Sequence, residues 1–221
     1  MKKILSKLNN GEKSKKIFLT STGLTNLKVR EAILGEIGKM QKQLVAIITT
    51  ADDEKEKGHF CQLALAQFNK LGFGKVDFVD LERTPDYDFS NCGITYVSGG
   101  NTFRLLKFAK AVNFKKIIND LLDRGGVYIG VSAGSYIMCP TIEMSYWKPD
   151  PDRNDFGLDD LSAFNFVPFL LVVHYSLEYK DIIKKHVEQA KYPTRILTNE
   201  QAFFIKDGIA GLIGEGEEIK L

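Results

Sequence analysis

GGVYIGVSAG, residues 125–134, couples a short apolar run, Val127 to Val131, to a G-x-S-x-G turn made by Gly130, Val131, Ser132, Ala133 and Gly134. The run predicts a buried strand, and Ser135 to Met138 predict a turn or two of helix that Pro140 stops. A serine on such a strand-to-helix turn sits in a strained backbone with its hydroxyl pushed clear of the sheet. Glycines flank it because a Cβ in so tight a turn collides with neighbouring backbone. The helix that follows points its free N–H groups at the same spot, where a developing oxyanion can be stabilised. Ser132 is therefore the candidate nucleophile.

Working outward, apolar runs alternate with helical patterns. Lys16 to Thr22 predicts a first central strand, and Asn26 to Ile37 a helix. Leu44 to Thr50 reads as a strand buried on both faces, as in a parallel sheet. Lys57 to Leu71 predicts a helix stopped by Gly72 and Gly74. Lys75 to Leu81 and Ile94 to Val97 predict two more strands, the second delivering the chain to Ser98-Gly99-Gly100-Asn101-Thr102. Helices are predicted from Thr102 to Ala111 and from Phe114 to Asp123. Past Cys139 the region from Thr141 to Asn165 reads as loop. Phe169 to Val173 is a further apolar strand ending at His174, Asp181 to Ala190 a helix, and Arg195 to Leu221 a series of short strands.

Strands alternating with helices give an α/β fold, a three-layer sandwich around a mainly parallel sheet. Residues 1–15 read as a polar tail or edge element and 16–221 as one domain. In such sheets, sites lie beyond the carboxyl ends of the strands. Two loops are thereby singled out, 98–102 and 130–134.

Composition narrows the chemistry. The 221 residues are 44% hydrophobic and 26% charged with a formal net charge of +2, which argues against nucleic acid or a membrane surface as partner. Cys61, Cys92 and Cys139 form no C-x-x-C pair, so neither a zinc site nor a disulfide framework is expected. No metal or cofactor is expected, and a reducing cytoplasm fits. No segment reads as a signal peptide or a bilayer span. The expected state is a monomer or a homodimer.

A serine nucleophile needs a base, and histidine is the usual one. Of His59, His174 and His186, only His174 terminates an apolar strand, which would bring it to the same sheet edge as Ser132. A carboxylate should fix the imidazole tautomer. Asp150, Asp152, Asp155, Glu178 and Glu200 are available, and Glu200 is preferred because it lies in a loop between apolar stretches. The backbone N–H groups of Gly99-Gly100, together with that of Ala133, supply an oxyanion hole. Asn101, Arg104, Tyr146 and Trp147 are candidate substrate contacts.

With these residues in place, the sequence resembles the peptidase E (aspartyl dipeptidase) family, relatives of which include cyanophycinase. The resemblance rests on Val97-Ser98-Gly99-Gly100-Asn101-Thr102, on Gly130 to Gly134 running into Cys139-Pro140-Thr141-Ile142, and on His174. It implies a flavodoxin-like sandwich related to the class I glutamine amidotransferases. It also implies Ser132 as nucleophile, His174 as base and oxyanion donors at Gly100 and Ala133. The third member is best matched by Glu200, with Asn199 one position away. The activity implied is release of an N-terminal residue, aspartate in the tested members, from small peptides.

One departure bears on specificity. The family's loop after His174 carries an arginine that grips an acidic side chain, whereas here no arginine appears until Arg195. Arg104, Lys148 and Arg153 are the other cations for that role. The leading reading is a serine peptidase acting on short peptides through an acyl-enzyme. The alternatives are an α/β-hydrolase-type esterase, using an Asp of the 150–160 loop with His174, and a non-catalytic peptide-binding homologue.

Overall fold

The structure, a computed structural model, describes residues 13–221. Most of the tail expected over residues 1–15 therefore lies outside the described residues. Seven strands form one sheet in the order β3-β2-β4-β5-β1-β8-β9. They are β1 (Lys16–Thr20), β2 (Leu44–Ile48), β3 (Val76–Val79), β4 (Cys92–Val97), β5 (Val127–Val131), β8 (Gln201–Lys206) and β9 (Ile209–Gly214). The first five run parallel, β8 runs antiparallel to β1, and β9 returns antiparallel to β8.

Side-chain alternation along these strands divides the core in two. Ile17, Leu19, Ala46, Ile48, Val97 and Tyr128 face one way and join the apolar sides of α3 (Thr102–Ala111), α4 (Phe114–Asp123) and α6 (Lys180–Gln189). Phe18, Val45, Ile47, Ile94, Val127 and Ile129 face the other way and join α1 (Leu27–Ile37) and α2 (His59–Lys70). Because helices cover both faces, the central strands are apolar along their whole length instead of alternating. The three-layer α/β sandwich expected from the sequence is the observed architecture.

The strand before His174 departs from the expectation. β6 (Leu170–Val172) lies outside the main sheet and pairs in parallel with β7 (Thr194–Ile196) in a separate two-stranded ribbon. His174 still reaches the carboxyl edge of the main sheet, because its backbone N–H donates to Ser21 Oγ, just past β1, at 3.2 Å. Tyr175 N–H donates to Leu197 O at 3.0 Å, which ties the same corner to the chain leaving β7.

The reversed strand β8 carries a second consequence. Register pairs Thr20 with Val131 on one side and with Ala202 on the other. The start of β8 is therefore level with the ends of β1 and β5, and the turn at 198–200 joins the edge that bears Ser132. The loop 141–165 is pinned to the same region: Asp152 Oδ2 accepts from Thr102 N–H and Asn101 Nδ2 donates to Arg153 O.

Close packing around the G-x-S-x-G turn has a measurable cost when altered. A Cβ on Gly134 would press into the carbonyl oxygen and side chain of Val97 in β4. Gly134→Ala is therefore expected to destabilise the protein by about 2 kcal/mol or more, in the upper range of overpacking substitutions. Urea denaturation midpoints measure this, and an unchanged midpoint would show that the β4–β5 edge is looser than described.

Candidate active site

Ser132 follows β5 directly and opens the short helix α5 (Ala133–Tyr136) with φ 49° and ψ −108°. A non-glycine residue in the left-handed φ region costs on the order of 1–3 kcal/mol and persists only where its surroundings enforce it. The enforcing contacts are visible. Ser132 N–H donates to Thr20 O at 2.9 Å, and the N–H groups of Ser135 and Tyr136 return to Ser132 O at 2.8 and 3.0 Å. Beneath the turn, the Ser135 hydroxyl accepts from Thr20 N–H and lies 2.9 Å from both Thr20 O and Gly130 O. Buried Tyr128 donates its hydroxyl to Gly134 O at 2.7 Å. Thr20, Tyr128 and Ser135 were not singled out from the sequence. Their only sequence signal is a polar residue within two apolar strand runs, for Thr20 and Tyr128, and in the first helical turn after the serine, for Ser135.

His174 lies with Nε2 3.1 Å from Ser132 Oγ and Nδ1 2.7 Å from Asn199 Oδ1. An amide oxygen at Nδ1 can only accept, so the ring proton sits on Nδ1 and the Nε2 lone pair faces the serine hydroxyl. The residue behind His174 is thus Asn199, and the expectation for Glu200 is corrected. Glu200 is exposed, and its backbone N–H donates to Thr198 Oγ1 at 3.3 Å. Two contacts choose Asn199. Its carbonyl accepts from Thr22 Oγ1 at 2.8 Å. Next along the chain, the buried Gln201 side chain accepts from Thr198 N–H at 3.1 Å and donates to Glu215 O at 2.8 Å. An amide in third place serves a serine only if it holds the Nδ1–H tautomer, and here it is the Asn199 oxygen that faces Nδ1; papain-like proteases use Asn in the same position behind the histidine of a cysteine nucleophile.

Two of the carboxylates of the 150–160 loop, on which the esterase reading draws, are engaged elsewhere. Asp152 accepts from the Thr102 backbone and Asp160 pairs with Lys110 at 2.8 Å. The histidine that faces the Ser132 hydroxyl is His174. Burial holds its pKa below the usual 6.5, assisted by the nearby positive charge of Lys148, while the Asn199 hydrogen bond works the other way. Burial also lowers the pKa of Lys148, against the opposing charges of Asp152 and Asp150.

Among the described residues, neither Gly100 N–H nor Ala133 N–H donates to another backbone or side-chain group. Gly100 has φ 131°, and a Cβ there would strike the Ala51 carbonyl, so the loop requires glycine. Gly99 packs against Ser132 Cβ.

A cavity of about 490 Å³ opens beside Ser132 and His174, walled by the ends of β1, β2, β4 and β5 and by the start of α2. This is the carboxyl-edge crevice expected of an open α/β sheet. Asn101 borders it, while its side chain caps α3 by accepting from Arg104 N–H at 2.9 Å. Arg104, Tyr146 and Trp147 do not border it. Arg104 is held by Glu82 and Asp53 at 2.6 and 3.2 Å. Tyr146 packs on Phe103, and buried Trp147 stacks on His186 with ring centroids 5.2 Å apart. All three cysteines are buried and free. No group of metal-ligating side chains is found among the described residues. No helix among them is long and apolar enough to cross a membrane.

Two outcomes follow from this geometry. A base must be neutral to accept a proton, and the lowered pKa keeps His174 neutral to below pH 6.5. The acid limb of kcat/KM should therefore fall below pH 6.5, with activity lost as pH drops through it. Asn199→Asp places a negative charge against Nδ1 and should move that limb up by about 1 unit or more. pH–rate profiles of the two proteins measure this, and an unmoved limb would detach His174 from the titration. Asn199→Ala should lower kcat at least about tenfold by freeing the ring, while Glu200→Gln should leave kcat within about twofold. The reverse order would restore Glu200.

The sequence matches the model of "Peptidase family S51" over residues 17–213, nearly the whole described chain. An uncharacterized peptidase of Pasteurella multocida, PM1590, is 28% identical over 200 residues, covering 87% of this chain and 94% of that protein. An uncharacterized peptidase of Listeria monocytogenes, Lmo0363, is 34% identical over 174 residues, covering 76% of this chain and 84% of its own length. Peptidase E of Shigella flexneri is 37% identical over 148 residues, covering 67% of this chain and 59% of the enzyme. Among solved structures, a Listeria monocytogenes EGD-e protein assigned provisionally to peptidase E superposes with a TM-score of 0.76 at 25% identity, covering 92% of this chain and all of that one. The fold is shared at 16% identity with a peptidase from an acI-B1 Actinobacterium, TM-score 0.68. The chain belongs to peptidase family S51 and is a serine-type peptidase.

Proposed function

We propose that this peptidase releases the N-terminal residue of short peptides through an acyl-enzyme formed on Ser132. The observation that carries the reading is the alignment of Ser132 Oγ, His174 and Asn199 Oδ1 at 3.1 and 2.7 Å on the rim of a cavity. Ser132 Oγ attacks the carbonyl carbon of the first peptide bond while its proton passes to His174 Nε2. The carbonyl oxygen, now negative, is met by the N–H groups of Gly100 and Ala133. Each such donor typically contributes roughly a hundred- to a thousandfold in rate. Collapse breaks the C–N bond, and the leaving amine takes the proton from Nε2. Water then gives a proton to Nε2 as it attacks the ester carbonyl, and collapse breaks the C–Oγ bond as Ser132 Oγ takes that proton back, which releases the free amino acid. Asn199 keeps the ring oriented and its Nδ1 protonated throughout, and adds no charge of its own.

An amide in third place supports a base of lower basicity than an aspartate would give. The imidazolium that forms in the transition state is correspondingly less stabilised. The depressed pKa of His174 agrees with that arrangement. A cytoplasmic location suits the three free cysteines.

Ser132→Ala and His174→Ala should each lower kcat on a dipeptide and tripeptide mixture by at least about ten-thousandfold, read by mass spectrometry of the released amino acids. Ordinary turnover in either variant would overturn the assignment. Unchanged binding of peptides with no turnover in the parent protein would favour the non-catalytic reading.

A further inference from the structure

The cavity beside Ser132 is not built for an acidic side chain. Its wall against α2 is largely apolar, formed by Phe60, Leu63, Ala64, Val131 and the ring of Tyr96, with His59 and Gln67 the polar residues of α2 along it. Phe60 is 63% exposed, a large apolar side chain left facing the opening although it sits at the start of a helix whose other face is well buried. The mouth carries Asp52, Asp53 and Glu54 on the loop after β2, and among the described residues no lysine or arginine borders the cavity. Asp53 is paired with Arg104, whereas neither Asp52 nor Glu54 forms an ion pair among the described residues. Arg104 does not itself border the cavity; Glu82 and Asp53 hold its guanidinium at the rim.

The loop with those carboxylates is fixed, not adaptable. Lys55 is buried at positive φ, donating to Thr50 O at 2.9 Å and lying 3.4 Å from Asp80. Asp52 Oδ1 accepts from Glu54 N–H at 2.9 Å, and the Asp52 carboxylate packs against Gly58 at the start of α2. Ala51 O accepts from Asn101 N–H at 2.8 Å, which sets the carboxylate loop beside the oxyanion loop. A volume near 490 Å³ lies within the roughly 300–1,000 Å³ of small-molecule sites and holds one large side chain with its flanking backbone.

Resting on the serine-peptidase reading, we propose that this cavity takes the N-terminal residue of the substrate, with an apolar or aromatic side chain against Phe60 and Leu63. The α-ammonium of that residue is met by the carboxylates of Asp52 and Glu54. The apolar wall supplies burial, the carboxylates at the mouth supply complementarity to a free amino terminus, and the same carboxylates repel an aspartyl side chain. The substrate class is therefore short peptides with apolar N-termini, and not Asp-initiated peptides.

The test compares Phe-Ala, Leu-Ala, Gly-Ala and Asp-Ala, with labelling of Ser132 by diisopropyl fluorophosphate run alongside. Phe-Ala and Leu-Ala should exceed Asp-Ala at least tenfold in kcat/KM, and N-acetylation of Phe-Ala should cost at least tenfold. Leu63→Trp, which fills the cavity, should lower the Phe-Ala to Gly-Ala ratio at least tenfold. Glu54→Lys should raise the Asp-Ala to Phe-Ala ratio. Preference for Asp-Ala in a protein that labels at Ser132 overturns the inference and leaves the serine chemistry standing. A protein that neither labels nor cleaves overturns the chemistry. In that event calorimetry of the same four peptides decides the cavity: binding of Phe-Ala that Leu63→Trp abolishes supports it, and no binding or stronger binding of Asp-Ala overturns it.

Discussion

The turn at Ser132 exists because two glycines let a helix start almost inside a sheet. A Cβ on Gly130 would collide with the backbone of Gly134 and Ser135, and one on Gly134 with Val97 of the neighbouring strand. With both absent, α5 begins directly after β5, and the chain has no room to relax Ser132 out of its positive φ. The strain is held by hydrogen bonds that reach across the sheet, from Ser132 N–H to Thr20 and from Ser135 to Thr20 and Gly130. His174 is held in the same manner at φ 54°, its N–H on Ser21. Two non-glycine residues in a disfavoured backbone region therefore meet side chain to side chain, and both are anchored to the end of β1. Fixing two reacting groups before substrate arrives removes the reorientation that would otherwise add to the barrier.

Strand direction explains why the third residue comes from so late in the chain. In an all-parallel sheet every carboxyl end lies at one edge, and the residues that precede strands lie at the other. Reversing β8 inverts this for a single element, so the turn before it joins the functional edge. That turn is then shaped by contacts remote in sequence, Thr22 on the carbonyl of Asn199 and Gln201 on the chain near Glu215 and Glu217.

This is also where legibility in the sequence ends. Runs such as Leu44 to Ile48 and Val127 to Val131 identify central strands because burial on both faces leaves no place for polar residues. The serine is legible because a G-x-S-x-G turn after such a run has one principal geometric use. Asn199 and Glu200 are both polar residues of a short turn, and which one faces His174 depends on Thr22 and Gln201, not on local pattern. General chemistry favoured the carboxylate, and the turn geometry selected the amide. Arg104 and Trp147 misled for a similar reason: a cation and an aromatic near a site suggest ligand contact, but Glu82 and His186 already occupy them. The cavity was not legible at all, since its walls come from several loops that only the strand order brings together.

The amide at Nδ1 bears on the proton affinity of the histidine it orients. A carboxylate behind His174 would raise that affinity. With that carboxylate ionised, the histidine would hold a proton nearer neutrality and be a poorer base for Ser132. Asn199 supplies the orientation of a third member without its charge, while burial and the positive charge of Lys148 lower the proton affinity of the ring. Orientation and charge, which a carboxylate would deliver together, are thereby separated at this site.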